Sequence, residues 1–479
     1  MHTLTPPALV AALLLAGCAS MAPPLEAPAL PVASRYPATL ATGAEGRIAS
    51  GLAWPQAFGD PALRALIGQA LANNRDLRVA ALRVQEAHAA YGIQRADGLP
   101  TLAASAQGTR ARTPGDLNLR GQPVTAGQFQ VGLGVAAWEL DFWGRVRSLQ
   151  DAALSSYLAT DAARHALALS LVTQVAQGWL TLRELDERLR LAQAAIASRQ
   201  ESLRIFTRRV EVGSASRLEL AQVRTLASQA QALGAQLQQQ REAQIQMLTQ
   251  LVGAPLDLPT TPATLDDAAV VLPLAAGLPS DLLTQRPDLL AAEQRLRAAN
   301  ANIGAARAAF FPRIALTGNL GTASAELGGL FDGGSGAWSF GPSITLPLFD
   351  AGRRQASLDI AELRRDIAVA DYEKTIQAAF REVADALSAQ QWLDAQLRIQ
   401  QETLDAQSER ARLARLRYDA GATAFLEVLD AQRDLLAAEQ QLVQTRRALL
   451  AARTALYAAL GGGAQHLPAT AATTPPTSP

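Results

Sequence analysis

The chain repeats itself once, and that duplication constrains its fold more than any other feature. Displaced by 212 positions, Asp76 and Leu77 fall on Asp288 and Leu289, and Gly92, Arg95, Ala96 and Pro100 fall on Gly304, Arg307, Ala308 and Pro312. At a displacement of 209, Gly127, Gly132 and Asp141 meet Gly336, Gly341 and Asp350. At 208, Gly144 and Arg145 meet Gly352 and Arg353, and Arg209, Gly213, Leu218 and Glu219 meet Arg417, Gly421, Leu426 and Glu427. A period this long excludes a solenoid, whose units run to about 20–45 residues. The pattern is that of a duplicated domain, with halves at 58–253 and 279–461 and a linker at 254–278.

Each half reads as the same series of elements. A helical segment (61–97; 279–309) leads into a Gly-rich, strand-like segment (99–140; 312–349). A long proline-free helical stretch follows (144–212; 352–420), then a turn at Gly213 or Gly421 and a return helix (216–251; 424–460). Leucine and alanine recur at threes and fours, as at Leu413, Leu416, Leu426 and Leu429, which predicts helices lying side by side. At about 1.5 Å per residue, each long stretch would reach on the order of 100 Å if straight. Two architectures fit: a rod-like coiled coil, or a tube with helical walls.

The strand-like segments favour the tube. Phe129, Val131, Leu133, Val135 and Ala137 alternate with Gln130, Gly132, Gly134 and Ala136. Ile314, Leu316 and Leu320 alternate with Ala315, Thr317 and Asn319, and Trp338, Phe340, Ile344 and Leu346 mark a further strand. Alternation of this kind over about ten residues is the signature of a transmembrane β-barrel. The aromatics Trp138, Phe142, Trp143, Phe310, Phe311 and Trp338 lie near strand ends, where interfacial girdles form. Two soluble hairpins, each with one face on a core, are the plainer alternative. Four strands cannot close a barrel, which needs about eight, and unpaired edges are not tolerated in lipid. Strands that span a membrane here therefore require at least one further copy of the chain.

The N-terminus carries a short apolar run, Ala8 to Gly17, that ends Leu15-Ala16-Gly17-Cys18. This resembles the lipobox of bacterial lipoproteins. The resemblance implies a signal peptide over 1–17, acylation at Cys18 and an extended, Pro- and Ala-rich tether over 18–57. At the other end, 462–479 reads as a disordered tail, its last residues rich in Pro, Ala and Thr.

Composition excludes several function classes. The 43 basic and 43 acidic side chains cancel and aromatics make up 5%, which argues against nucleic acid as a partner. One cysteine cannot build a disulfide framework or a thiolate zinc site. Lys374 is the only lysine and stands in no phosphate-binding loop; no His-x-x-x-His or G-x-S-x-G pattern occurs. No catalytic residue, metal or cofactor is expected. No run reaches the roughly 18 apolar residues of a membrane-spanning helix.

The duplicated layout, the lipobox, the segment RYDAGATAFLEVLDAQRDLL (417–436), the segment LTQRPDLLAAEQRL (283–296) and Phe310-Phe311-Pro312 together resemble the TolC-like outer membrane factors. The likeness is to the lipoprotein branch that serves multidrug efflux pumps. It implies a mainly α chain with a membrane β-barrel: a homotrimer whose twelve strands, four per chain, close one barrel joined to a long α-helical barrel in the periplasm. It implies a lipid-anchored outer-membrane channel without a catalytic step, passing small molecules such as drugs. Implied partners are outer-membrane lipid, a periplasmic adaptor and an inner-membrane transporter of the resistance-nodulation-division type. Type I protein secretion, metal-ion export and a periplasmic coiled-coil scaffold are the alternatives. The resemblance further implies a closed periplasmic tip with turns at Gly213 and Gly421, an acidic constriction of Glu219, Glu427 and Asp430, and closing contacts from Arg209, Arg417 and Tyr418. The plainer reading of Glu427 and Asp430 is surface charge paired with Arg433 or a neighbouring helix. Some relatives place an arginine where this chain has Thr423. The exported substrate is not written in this chain.

Overall fold

The computed structural model describes residues 20–26, 28, 30–32, 47–48, 52–119, 121–257, 265, 274–275 and 282–463. The signal sequence, Cys18, much of the tether and linker, and the tail from 464 onward lie outside the described residues. β1 (Arg47–Ile48) and the short helix α1 (Trp54–Ala57) lie in the segment expected to be an extended tether, and the first half then runs α2 (Pro61–Asn73), α3 (Arg75–Ala96), β2 (Leu102–Thr113), β3 (Val124–Glu139), α4 (Arg145–Glu211) and α5 (Arg217–Val252). After β4 (Leu274–Ala275) in the linker, the second runs α6 (Leu282–Gln285), α7 (Pro287–Ala308), β5 (Arg313–Ser324), β6 (Gly336–Thr345), α8 (Arg353–Asp419) and α9 (Phe425–Ala459). Both α4 and α8 are 67 residues long. No helix among the described residues is long and apolar enough to cross a membrane.

The chain divides into two compact units that do not follow the repeat boundary, because each takes segments from both halves. One comprises 1–29, 84–160 and 292–372 and holds the four-stranded sheet. Its order is β2-β3-β5-β6, antiparallel throughout. The register stacks like side chains across the strands. Ala104 lies opposite Leu133, Leu133 opposite Leu320, and Leu320 opposite Trp338, whereas Gly134 meets Asn319 and Asn319 meets Ser339. One face is therefore apolar and the other small or polar. The apolar face is bare: Leu133, Leu320, Trp338 and Ile344 are all exposed. The register shifts between Val135 and Trp138, with Ala137 at φ 48°. Such a bulge turns the strand at its end. There Glu139 pairs with Arg145 at 2.8 Å and Arg313 at 2.6 Å, tying the end of β3 to the starts of α4 and β5.

The other unit comprises 30–83, 161–291 and 373–479. Its core is built on Trp179, Tyr457, Phe58, Leu63, Ile67 and Leu180, all fully buried. The two large polar aromatics each find a partner, as burial demands: Trp179 Nε1 donates to Asp60 Oδ2 at 2.8 Å and Tyr457 Oη to the Leu52 carbonyl at 3.0 Å. Burial also raises the Tyr457 phenol well above its ordinary pKa, so it remains a donor. The short strands β1 and β4 pair in parallel, and the described part of the linker contributes β4.

Helix α5 ends on Gly253 at φ 72°, and a Cβ added there would sit 2.6 Å from the Asn73 carbonyl oxygen. Gly213 has a similar φ of 79° but open space around it. Left-handed φ alone costs an L-residue roughly 1–2 kcal/mol. Gly253→Ala should therefore lower the thermal unfolding midpoint of the detergent-solubilised protein more than Gly213→Ala does. Equal losses would show that the close approach to Asn73 is relieved by backbone movement.

Candidate functional site

The turns at Gly213 and Gly421 lie in one unit, and the structure builds them alike. With Gly421 at φ 72°, each glycine takes the left-handed conformation that ends a helix. The Ser214 N–H reaches back to the Arg209 carbonyl at 2.7 Å, and the Ala422 N–H to the Arg417 carbonyl at 2.8 Å. The two long helices thus terminate with their last carbonyls capped.

The helices that follow begin differently. Helix α5 starts with a capping box: Ser216 Oγ accepts the Glu219 N–H at 3.1 Å, and Glu219 Oε2 accepts the Ser216 N–H at 2.7 Å. Those bonds from the Ser216 backbone and hydroxyl, with the Arg209 charge, hold the Glu219 carboxyl below the ordinary carboxylate range. Helix α9 has Ala424 at its N-cap, which offers no side-chain bond. Glu427, at the position equivalent to Glu219, bonds instead to the Thr423 hydroxyl and to Arg417 Nη1 at 3.1 Å. Asp430 pairs with Arg433 at 3.0 Å. Within one chain, then, all three acidic residues have local partners, and Glu219 serves first as a helix cap.

The two turns are joined through side chains from both halves. Arg209 Nη1 donates to the Tyr418 hydroxyl, and its guanidinium lies 5.4 Å from the Phe206 ring centre. Beneath these contacts sits an apolar cluster of Phe206, Val223, Ala414, Phe425, Val428 and Leu429. Phe425 is its centre, 4.5 Å from the Phe206 ring and 4.8 Å from the Tyr418 ring. Magnitudes rank the contacts. An exposed ion pair such as Arg417–Glu427 is worth about 0–1 kcal/mol and a hydrogen bond about 1 kcal/mol, while each buried Phe contributes about 1.5–3 kcal/mol. The polar contacts can exchange at small cost while the phenylalanines keep the helices together. The duplication gives no hint of Phe206 and Phe425, whose equivalents are Ala414 and Arg217.

The aromatic residues near the strand ends take varied roles within the sheet-bearing unit. Trp143 stacks on Phe311 at 4.9 Å and donates to the Pro312 carbonyl at 2.8 Å. Trp138 Nε1 donates to the Gly98 carbonyl at 3.3 Å, and Phe310 lies under the Arg354 guanidinium at 5.5 Å. Phe142 is half-buried, and Trp338 is 78% exposed. Among the described residues no group of three His, Cys, Asp or Glu side chains is placed to hold a metal ion.

The profile of the outer membrane efflux protein family matches residues 66–254 and 278–462, one match for each half. The chain belongs to that family. It is 45% identical over 461 residues to the solvent efflux pump outer membrane protein SrpC of Pseudomonas putida, covering 95% of this chain and 97% of that protein. It is 43% identical over 468 residues to outer membrane protein OprJ of Pseudomonas aeruginosa, covering 95% of each. Among solved structures, the open state of the MtrE outer membrane channel of Neisseria gonorrhoeae superposes with a TM-score of 0.83 at 39% identity, over 93% of this chain and 98% of that one. A membrane protein from Pseudomonas aeruginosa superposes with a TM-score of 0.86 at 43% identity, over 93% and 98%. The expected family and fold are thereby established, and the chain is an outer-membrane efflux channel subunit: mainly helical, with four strands for a membrane barrel.

The cap chemistry of Glu219 makes a pH-dependent prediction. A carboxyl whose pKa is depressed on folding contributes stability above its ordinary pKa of about 4.3, and loses it as pH falls through the folded value. Glu219→Ala should therefore melt below the parent at neutral pH, with the gap narrowing as pH is lowered below about 4. A gap independent of pH would assign the loss to helix propensity instead.

Proposed function

We propose that three copies of this chain close a single β-barrel in the outer membrane, continued by a helical tube in the periplasm. In this reading the trimer is the passive exit duct of a tripartite pump, without a catalytic step of its own. The observation that carries the reading is the sheet. Leu133, Leu320 and Trp338 form an exposed apolar row across β3, β5 and β6, with Ile344 exposed on the same face further along β6, while among the described residues β2 and β6 each keep one unpaired edge. In lipid both edges need partners, and pairing β6 of one copy with β2 of the next supplies them. Trp138, Phe142, Trp143, Phe310, Phe311 and Trp338 would then lie near the membrane interfaces.

The cargo is small organic molecules. The naming of relatives for solvent, toluene and antibiotic efflux supports this. The selecting partner is an inner-membrane transporter of the resistance-nodulation-division type, joined through a periplasmic adaptor that meets the turns at Gly213 and Gly421. Cys18, following its short apolar run, carries the lipid that anchors each chain. At the turns, threefold repetition of Glu219, Glu427 and Asp430 forms an acidic constriction that favours cations. Arg209, Arg417 and Tyr418 make the contacts that open first.

Two measurements test this reading. A strain lacking the gene should become more susceptible to solvents and hydrophobic antibiotics, with recovery on complementation; unchanged susceptibility together with a lost secreted protein would move the chain to protein export. In planar bilayers, Glu427→Lys with Asp430→Lys should shift permeability from cations toward anions and change single-channel conductance. Unaltered selectivity would remove these carboxylates from the pore.

A further inference from the structure

Residues 20–23, which directly follow the Cys18 region, lie against the wall formed by the start of α4 and the end of α7, all within the sheet-bearing unit. Ser20 Oγ lies 3.2 Å from Ser148 Oγ and also accepts the Ala22 N–H at 3.2 Å. Asn300 Nδ2 donates to the Pro23 carbonyl at 2.8 Å. Ser148 is fully buried and Asn300 is 7% exposed. Between them Gly304 gives the segment its room: a Cβ there would sit 2.6 Å from the Ala22 nitrogen and 2.7 Å from Ser148 Oγ. An Ala- and Pro-rich stretch has few side chains with which to hold itself down, so the wall supplies both the hydrogen bonds and the gap.

The duplication provides an internal control. The positions equivalent to Ser148, Asn300 and Gly304 in the other half are Ala356, His88 and Gly92. All three are exposed, and a Cβ at Gly92 would meet nothing within 4 Å. Two positions differ in chemistry between the halves, and within one chain the third is crowded only at Gly304, by Ala22 of the N-terminal segment and by Ser148 of α4.

We propose that Ser148, Asn300 and Gly304 form a receptor site for the chain's own N-terminal segment, which grips residues 20–23 and so fixes where the anchored N-terminus leaves the protein. The anchoring step rests on the acylation of Cys18 proposed above. Cys18 stands two residues before Ser20, so their Cα atoms are at most about 7 Å apart. A lipid on that thiol is held at a set place on the wall rather than at the end of a free leader.

The test uses the full-length protein in lipid vesicles, carrying Cys18→Ser and Glu26→Cys so that one thiol takes a nitroxide spin label. Glu26 is exposed and three residues beyond Pro23. The label should report restricted motion in this background and with Gly92→Ala added. Gly304→Ala, which favours the helix itself, should release the label, shortening its correlation time about tenfold toward that of a mobile chain end. The Ser148→Ala, Asn300→Ala pair should do the same without adding bulk. A label equally restricted in all variants, or already mobile in the parent background, overturns the receptor. Palmitate incorporation is read separately on the chain with Cys18 intact. Loss of that signal refutes acylation and the anchoring step, while the spectra decide the receptor independently.

Discussion

Everything in this chain answers to the two unpaired edges of a four-stranded sheet. Backbone N–H and C=O groups can face water at a sheet edge, but not lipid, where each unsatisfied group costs several kcal/mol. The apolar row from Leu133 to Trp338 needs lipid or another surface to cover it, and the edges forbid lipid until they are paired. A single chain therefore satisfies its face and its edges together only by joining copies of itself. Duplication supplied four strands instead of two and reduced the number of copies needed to enclose a lumen.

Much of this was legible in the sequence, and for a physical reason. Helix ends and turns are set by local chemistry, so Gly213 and Gly421 marked the ends of α4 and α8, and the absence of proline matched two 67-residue helices. Period-two alternation marked the strands because it reflects the pleat itself. The capping box of Ser216 and Glu219 was also written in the sequence as S-x-x-E, yet the likeness of Glu219 to Glu427 obscured it. The two glutamates share a position in the repeat but not a neighbour: Ser216 in one half is Ala424 in the other, and Glu427 turns to Thr423 and Arg417 instead. Contacts between distant segments were not legible. Phe206 meeting Phe425 and Asn300 meeting Pro23 depend on tertiary approach, which no local pattern encodes.

A buried polar network shows how the two halves were locked together in the unit that holds the turns. Glu184 on α4 accepts from Arg188 at 2.9 Å and from Arg447 on α9 at 2.9 Å, while Arg188 also donates to Gln440 at 2.6 Å. Asp186 takes Arg241 on α5 at 2.6 Å and Arg183 at 3.3 Å. Buried ion pairs add little net stability over apolar packing, but a missing partner is costly, so such a network specifies which helix faces meet. Helices rich in alanine and leucine slide past one another easily, and the network supplies the register that their apolar faces leave loose.

At the ends of α5 and α9 the backbone need is kept while the side chain that meets it changes. The carbonyls of Leu251 and Ala459 occupy equivalent places near the ends of α5 and α9. The first is capped by Asn74 Nδ2 at 2.9 Å, the second by Arg286 Nη1 at 2.9 Å. Asn74 also accepts the Leu77 N–H at 2.9 Å and so starts its own helix. Arg286, at the matching position, cannot accept a bond and instead gathers Asp288 at 2.6 Å and Glu382 at 2.8 Å. One half thus solves the joint with a neutral amide, the other with a charge that draws in a third helix, α8. Gly253 and Gly461 accompany both solutions, each in the left-handed conformation and close to the carbonyl of the residue before the cap, Asn73 or Gln285. A duplicated fold diverges where a side chain can be exchanged for another that satisfies the same backbone group, and stays identical where only glycine fits.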